Sequence, residues 1–143
     1  MRVIKLDDKA RDEFVNERRL GVLCSLRQSG APFALPLWYR WDGKEIEMFS
    51  ERAGAKVKRL IANPLASLLV ANNPNESARW VSFEGIAKMD DSGLAAAGRL
   101  LERYVAPVDS PAYKGTMKMF AKADLVRIAI APTTIVTYAE LHQ

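Results

Sequence analysis

Histidine and cysteine are almost missing from this chain: among 143 residues there is one of each. The lone histidine, His142, stands beside the C-terminus, so neither a His-based metal site nor a Ser-His-Asp triad can be assembled. Zinc hydrolases and triad hydrolases are thereby excluded. Cys24 has no partner for an internal disulfide, which suits a reducing compartment. It alternates with Leu20, Val22 and Leu26, which predicts a small residue on a buried strand face; a reactive thiol is the other reading. No GxGxxG or Walker-type loop occurs, so dinucleotide and P-loop sites of those kinds are unsupported. No apolar run approaches the ~20 residues of a membrane helix. The opening MRVIKLDDKARDEF carries charges where a signal peptide is apolar, and a cytoplasmic protein is expected.

Strong charge of one sign is absent too. The net charge is +4, and the basic residues are spread out, with clusters only at Arg18 and Arg19 and at Lys56, Lys58 and Arg59. A nucleic-acid binder would show a basic stripe interleaved with aromatics, so no nucleic-acid partner is expected. The 49% hydrophobic and 27% charged content is that of a globular protein, and the length suits one domain over residues 1–143.

What the chain does have is a hairpin signal. Asp42-Gly43 sits between two apolar runs and predicts a two-residue turn joining strands 33–41 and 45–50. Counting out from the turn puts Phe33, Leu35, Leu37, Tyr39 and Trp41 on one face, and Ala34, Pro36, Trp38 and Arg40 on the other. Pro36 cannot donate a ladder hydrogen bond and marks an edge or a bulge. After residue 50 a short loop leads to a helix in which Val57, Leu60 and Ile61 share the core-facing stripe. Lys56, Lys58 and Arg59 stand off that stripe. They read either as a solvated basic face or as cations gathered at a helix N-terminus, where a phosphate is a natural occupant.

Elsewhere the spacing predicts a helix over 7–19 and strands over 20–26, 65–71, 80–89, 125–131 and 133–139, the last two hinged at Pro132. Strand 65–71 is apolar almost throughout, as if buried on both faces. In 80–89, Trp80, Ser82, Glu84, Ile86 and Lys88 share one face, and Gly85 signals a close backbone approach. Asp90-Asp91-Ser92 and Asp109-Ser110-Pro111 open two further helices. Seven strands that do not alternate with helices point to a small, mainly antiparallel barrel of α+β class.

The run PLWYRWDGKEIEMFSERAGAKVKRLIANPLASLLV, with RWVSFEGIAKMDD after it, resembles the flavin-binding split β-barrel family, which includes pyridoxamine 5′-phosphate oxidase and F420-dependent reductases. That group repeats a proline-aromatic strand, a WDG-type hairpin, a Ser/Thr strand end, a Lys-rich helix start and an NP before an apolar strand. The resemblance implies an antiparallel split β-barrel of FMN-binding type with a few peripheral helices. It implies that strand residues Leu35, Pro36, Leu37 and Trp38 flank a flavin ring. Ser50 and Lys56 match phosphate-contacting positions, with Arg52, Lys58 or Arg59 assisting. Arg59 stands where many relatives carry asparagine. Trp80 would contribute from a second subunit, because the family builds its sites across a homodimer interface.

From the residues alone, Trp38, Tyr39 and Trp41 read as core or interface groups as readily as ring contacts, and Glu84 reads as a surface carboxylate. No residue has the partners of a general acid or base. The resemblance implies an FMN-dependent oxidoreductase acting on a small conjugated substrate. Its alternatives are an F420-dependent reductase of the same fold and a non-catalytic flavin- or haem-binding module.

Overall fold

In the computed structural model, which describes residues 1–142, the segment 32–41 decides the architecture. It forms two strands, β3 (Pro32–Leu37) and β4 (Arg40–Trp41), separated by Trp38 and Tyr39. The others are β1 (Arg2–Ile4), β2 (Gly21–Leu26), β5 (Ile46–Glu51), β6 (Leu65–Ala71), β7 (Arg79–Asp90) and β8 (Leu125–Leu141). The sheet runs β3-β2-β6-β7-β8-β5-β4, with β1 added against the end of β8, and every pairing is antiparallel. β3 and β4 thus lie at opposite ends of the path, yet two residues join them. Leu37 and Arg40 are three residue steps apart, at most about 11 Å. The sheet must therefore curl until its ends nearly meet. It is an antiparallel split barrel, closed there by the covalent chain and not by a ladder. Pro36 lies on the open edge of β3, where its missing N–H costs nothing.

Tyr39 secures that corner. Its side chain is fully buried, and its hydroxyl donates to the Val15 carbonyl at 2.6 Å. Inside the barrel lie Leu23, Trp41, Ile46, Met48, Leu68, Val81, Phe83, Ile128 and Ile130. The Trp41 and Phe83 rings meet at 4.6 Å, and Trp41 donates its indole N–H to Asp12 at 2.8 Å. Four helices surround the barrel: α1 (Asp8–Asn16), α2 (Ala55–Ala62), α3 (Gly93–Tyr104) and α4 (Pro111–Phe120). Asp7 caps α1 by accepting from Ala10, and Ser110 caps α4 by accepting from Tyr113.

Several expectations need correction. The hairpin turn spans four residues, because Asp42 Oδ1 accepts from both Lys44 and Glu45 and delays the ladder until Trp41 faces Ile46. Gly43, at φ 94°, supplies the left-handed step. The expected strands 125–131 and 133–139 are one strand. Pro132 pairs with Gly85, Thr133 is the extra residue of a bulge, and the ladder resumes at Glu84 and Thr134. Added β1 and divided β3/β4 then make eight strands where seven were expected.

The phase of β2 is also inverted. Gly21, Leu23 and Ser25 point inward, while Cys24 and Val22 are only half-buried on the outer face and Leu20 is exposed. Both faces of this strand carry apolar residues, so alternation alone leaves the phase open. Gly21 decides it: a Cβ there would meet Tyr39 and Leu68 at 2.9 Å. β6 likewise buries Leu68 and Val70 but leaves Leu65 55% exposed, so one face and not both is covered within the chain.

Candidate functional site

β5 delivers Ser50 to its end, and the chain turns through Arg52 to Gly54 into α2. Gly54 is the N-cap and offers no side-chain acceptor, so the first-turn N–H groups of α2 are left for another partner. A Cβ on Gly54 would stand 3.1 Å from the Glu51 carbonyl and 3.4 Å from Ser50 Oγ, so the bare glycine keeps the space open. The result is a cleft of about 420 Å³ lined by Phe33, Leu35, Ser50, Glu51, Gly54, Ala55, Lys56 and Arg59.

Its two cations stand outside the ion-pair network of the barrel. Arg19, Arg52, Arg99 and Arg127 are each paired with carboxylates. Among the described residues, neither Lys56 nor Arg59 has such a partner. Lys56 is half-buried; that burial, and secondarily the charge of Arg59, push its ammonium below the usual lysine range. Arg59 lies over the Phe33 ring at 4.2 Å, and its Nε is buried with no hydrogen-bond partner. An orphaned buried donor and a desolvated cation are both costly unless something anionic completes them. With Ser50 Oγ and the α2 N-terminus, they form a donor set that fits a phosphate. The same geometry explains why these residues fold so: Val57 and Leu60 bury the opposite stripe of α2 and turn Lys56 and Arg59 toward the cleft.

Of the residues that the sequence singled out, the cleft brings together Leu35, Ser50, Lys56 and Arg59. Leu37 is half-buried against the barrel core, one inward position farther along β3. Pro36 is exposed on the opposite face, and Trp38 stacks on Tyr104 at 5.2 Å, away from the cleft. Arg52 is held by Asp91 and Asp124 outside it, and Lys58 is exposed. Trp80 lies on the outer sheet face, stacked on Tyr138 at 5.6 Å, beside a second cavity of about 440 Å³ that Cys24 also lines. Phe33 and Gly54 are cleft residues that sequence reasoning left out. Their signal was there: Phe33 has the same parity as Leu35, and Gly54 precedes the lysine at the helix start.

The outer face also carries a shallow groove of about 500 Å³ lined by Leu26, Leu65, Glu84 and Ile86 among others. It has no unpaired cation. No group of three or more metal-ligating side chains exists among the described residues, and none of their helices is long and apolar enough to cross a membrane.

Comparison with known proteins adds the family. No curated protein sequence matches the chain. Among solved structures, the conserved hypothetical protein Rv2991 from Mycobacterium tuberculosis is similar at 25% identity and a TM-score of 0.82, over 98% of this chain and 92% of that one. An F420 reductase is similar at 24% identity and a TM-score of 0.70, over 87% and 94%. A FAD-binding protein from Mesorhizobium loti shares the fold at 17% identity and a TM-score of 0.71, over 99% and 100%. The family model for pyridoxamine 5′-phosphate oxidase matches residues 7–137. The chain therefore belongs to the pyridoxamine 5′-phosphate oxidase family, with its flavin-binding split-barrel fold.

Proposed function

We propose that this protein is an FMN-dependent oxidoreductase acting on a small conjugated substrate. The observation that carries the reading is the uncompensated pair Lys56 and Arg59, with its orphaned buried Nε, at the N-terminus of α2. Ser50 and the first-turn N–H groups of α2 complete a phosphate site. Leu35 and the β3 backbone leading to Leu37 flank the ring beyond it. When bound, the flavin supplies the hydride chemistry, so the chain needs to bind, orient and exclude water. That accounts for a site without histidine or a reactive thiol.

The substrate side of the ring is completed by a second copy of the chain. Trp80 faces away from the cleft of its own chain, on an outer face that also exposes Leu65, Ile86 and Val136. Packing this face against a symmetry mate buries those groups and brings an aromatic wall from the partner.

F420 is the second reading, favoured by the likeness to an F420 reductase along nearly the whole of both chains. A haem carrier is disfavoured: the one histidine, His142, lies 3.4 Å from Glu140 at the end of the chain, away from the cleft. The test is titration of the purified protein with FMN and with F420, followed by absorbance and fluorescence. Stoichiometric binding of FMN supports the first reading and binding of F420 alone the second. A protein that binds neither overturns both.

A further inference from the structure

Arg59 is held where its own charge disfavours it. It belongs to the last turn of α2, where a guanidinium ordinarily turns toward the free carbonyls of the helix end. Instead it lines the cleft together with Gly54 and Lys56. Lys56 is its neighbour three residues back on the helix, close enough for the Arg59 charge to depress the ammonium. That like charge and the positive end of the helix both favour moving the guanidinium out into solvent. No carboxylate among the described residues pairs with it, and its Nε is buried without a hydrogen-bond partner. What opposes its departure is the Phe33 ring, over which the guanidinium lies at 4.2 Å.

Phe33 is itself well fixed. It stands on β3, paired with Ser25 of β2, and its half-buried ring shares the inward parity of Leu35. A guanidinium stacked on such a ring keeps its in-plane N–H donors free for an anion. We infer that Phe33 is a positioning residue of the phosphate cleft: its ring holds the Arg59 guanidinium at the cleft before the anion arrives and leaves the in-plane donors to the phosphate. This rests on the reading of the Ser50, Lys56 and Arg59 cleft as a phosphate site. Without the ring, the long arginine side chain is ordered only when the phosphate binds, and the lost freedom is subtracted from affinity. Arg27 also lies over this ring, at 4.8 Å, but it is exposed and does not line the cleft, so it provides the control.

The experiment titrates the full-length protein with FMN and with riboflavin, so that the ratio of the two affinities reads the phosphate alone. Phe33→Leu keeps an apolar side chain on β3 but removes the aromatic face. It should lower the FMN:riboflavin ratio about five- to tenfold, the scale of one partly desolvated cation–ring contact, and leave riboflavin binding within about twofold. Phe33→Tyr retains the face and should retain the parent ratio. Arg59→Ala should lower the ratio at least as far as Phe33→Leu, and the double variant no further than Arg59→Ala, because the ring acts through the guanidinium. Arg27→Gln should stay within about twofold of the parent. The inference is wrong if Phe33→Leu leaves the ratio unchanged or weakens both ligands equally. It is equally wrong if Phe33→Tyr fails to keep the ratio, if Phe33→Leu lowers it again without Arg59, or if Arg27→Gln lowers it as much. Should the ratio still fall in Lys56→Ala and Arg59→Ala in any of these cases, the phosphate cleft itself survives. A ratio indifferent to both cations would bring down the cleft and the inference together.

Discussion

Arg52 donates through Nε to Asp124 Oδ2 at 2.9 Å, and its backbone N–H donates to the Asp124 carbonyl at 2.8 Å. A second guanidinium nitrogen donates to Asp91 at 2.6 Å. The residue thus ties the loop between Ser50 and Gly54 to the start of β8 and to the turn before α3. On the proposed phosphate reading, we assign it to holding that loop and not to touching the phosphate. Arg52→Ala and Asp124→Ala should each weaken FMN binding by about two- to fivefold, the modest scale of exposed pairs, and the double variant should do no worse than either single one. A direct phosphate contact predicts the reverse for Asp124→Ala, since freeing Arg52 would then tighten binding. Flavin fluorescence titrations of the three variants decide between them.

Beneath α3, Glu47 is 3% exposed and accepts from Arg99 at 2.8 Å and from Arg127 at 2.6 Å. Burial alone would push its carboxyl up; the hydrogen bonds from the two guanidinium groups overcome this and hold it below the usual carboxylate range. Glu47→Gln leaves both cations short of a counter-charge. We expect a loss of about 2–3 kcal/mol in urea denaturation, less than for a fully buried pair because the Arg99 side chain is 41% exposed.

Acid should weaken the fold through a second carboxylate. Glu76 receives two hydrogen bonds from Arg19 at 2.7 Å and one from the Asn73 N–H at 2.8 Å, which together hold its carboxyl at about 2. A carboxyl depressed in the folded state stabilises it above the ordinary value of 4.5 and loses that contribution as the pH falls toward 2. The melting temperature of Glu76→Gln should therefore lie below that of the parent at pH 7 and converge with it near pH 2. A constant gap across that range would contradict the assignment.

The outer-face pairing proposed above predicts a homodimer linked to cofactor binding. Sedimentation equilibrium at micromolar concentration should give twice the chain mass, and added FMN should raise the apparent stability of the dimer. Val136→Glu, placed on that face at a residue 39% exposed, should yield monomers and lower FMN affinity by about tenfold or more. Monomers of the parent that bind FMN stoichiometrically would locate the whole site within one chain.

What was legible in the sequence followed from local chemistry. The parity of Phe33, Leu35, Leu37, Tyr39 and Trp41 could be counted from Asp42-Gly43, and all five point inward as counted. Gly85 inside a strand signals a close approach, and a Cβ there would meet the Ala131 carbonyl at 2.9 Å. What was not legible depends on distant partners. Alternation cannot phase Cys24, because both faces of β2 are apolar and only Tyr39 and Leu68 against Gly21 choose between them. Arg52, Lys58 and Arg59 look alike in sequence as cations near a helix start. Asp91 and Asp124, far along the chain, draw Arg52 away, while the helical turn points Arg59 over Phe33 and leaves Lys58 in solvent.

We propose that Lys56 and Arg59 at the head of α2 bind the phosphate of the flavin. The affinity ratio of FMN to riboflavin, measured by fluorescence quenching in the parent and in Lys56→Ala, isolates it, since the two ligands differ only in the phosphate. A charge-assisted contact of roughly 1.5–3 kcal/mol predicts that the parent prefers FMN strongly and that Lys56→Ala lowers this preference by about tenfold or more, with riboflavin binding unchanged. Equal preference for FMN in parent and variant would show that Lys56 does not bind the phosphate.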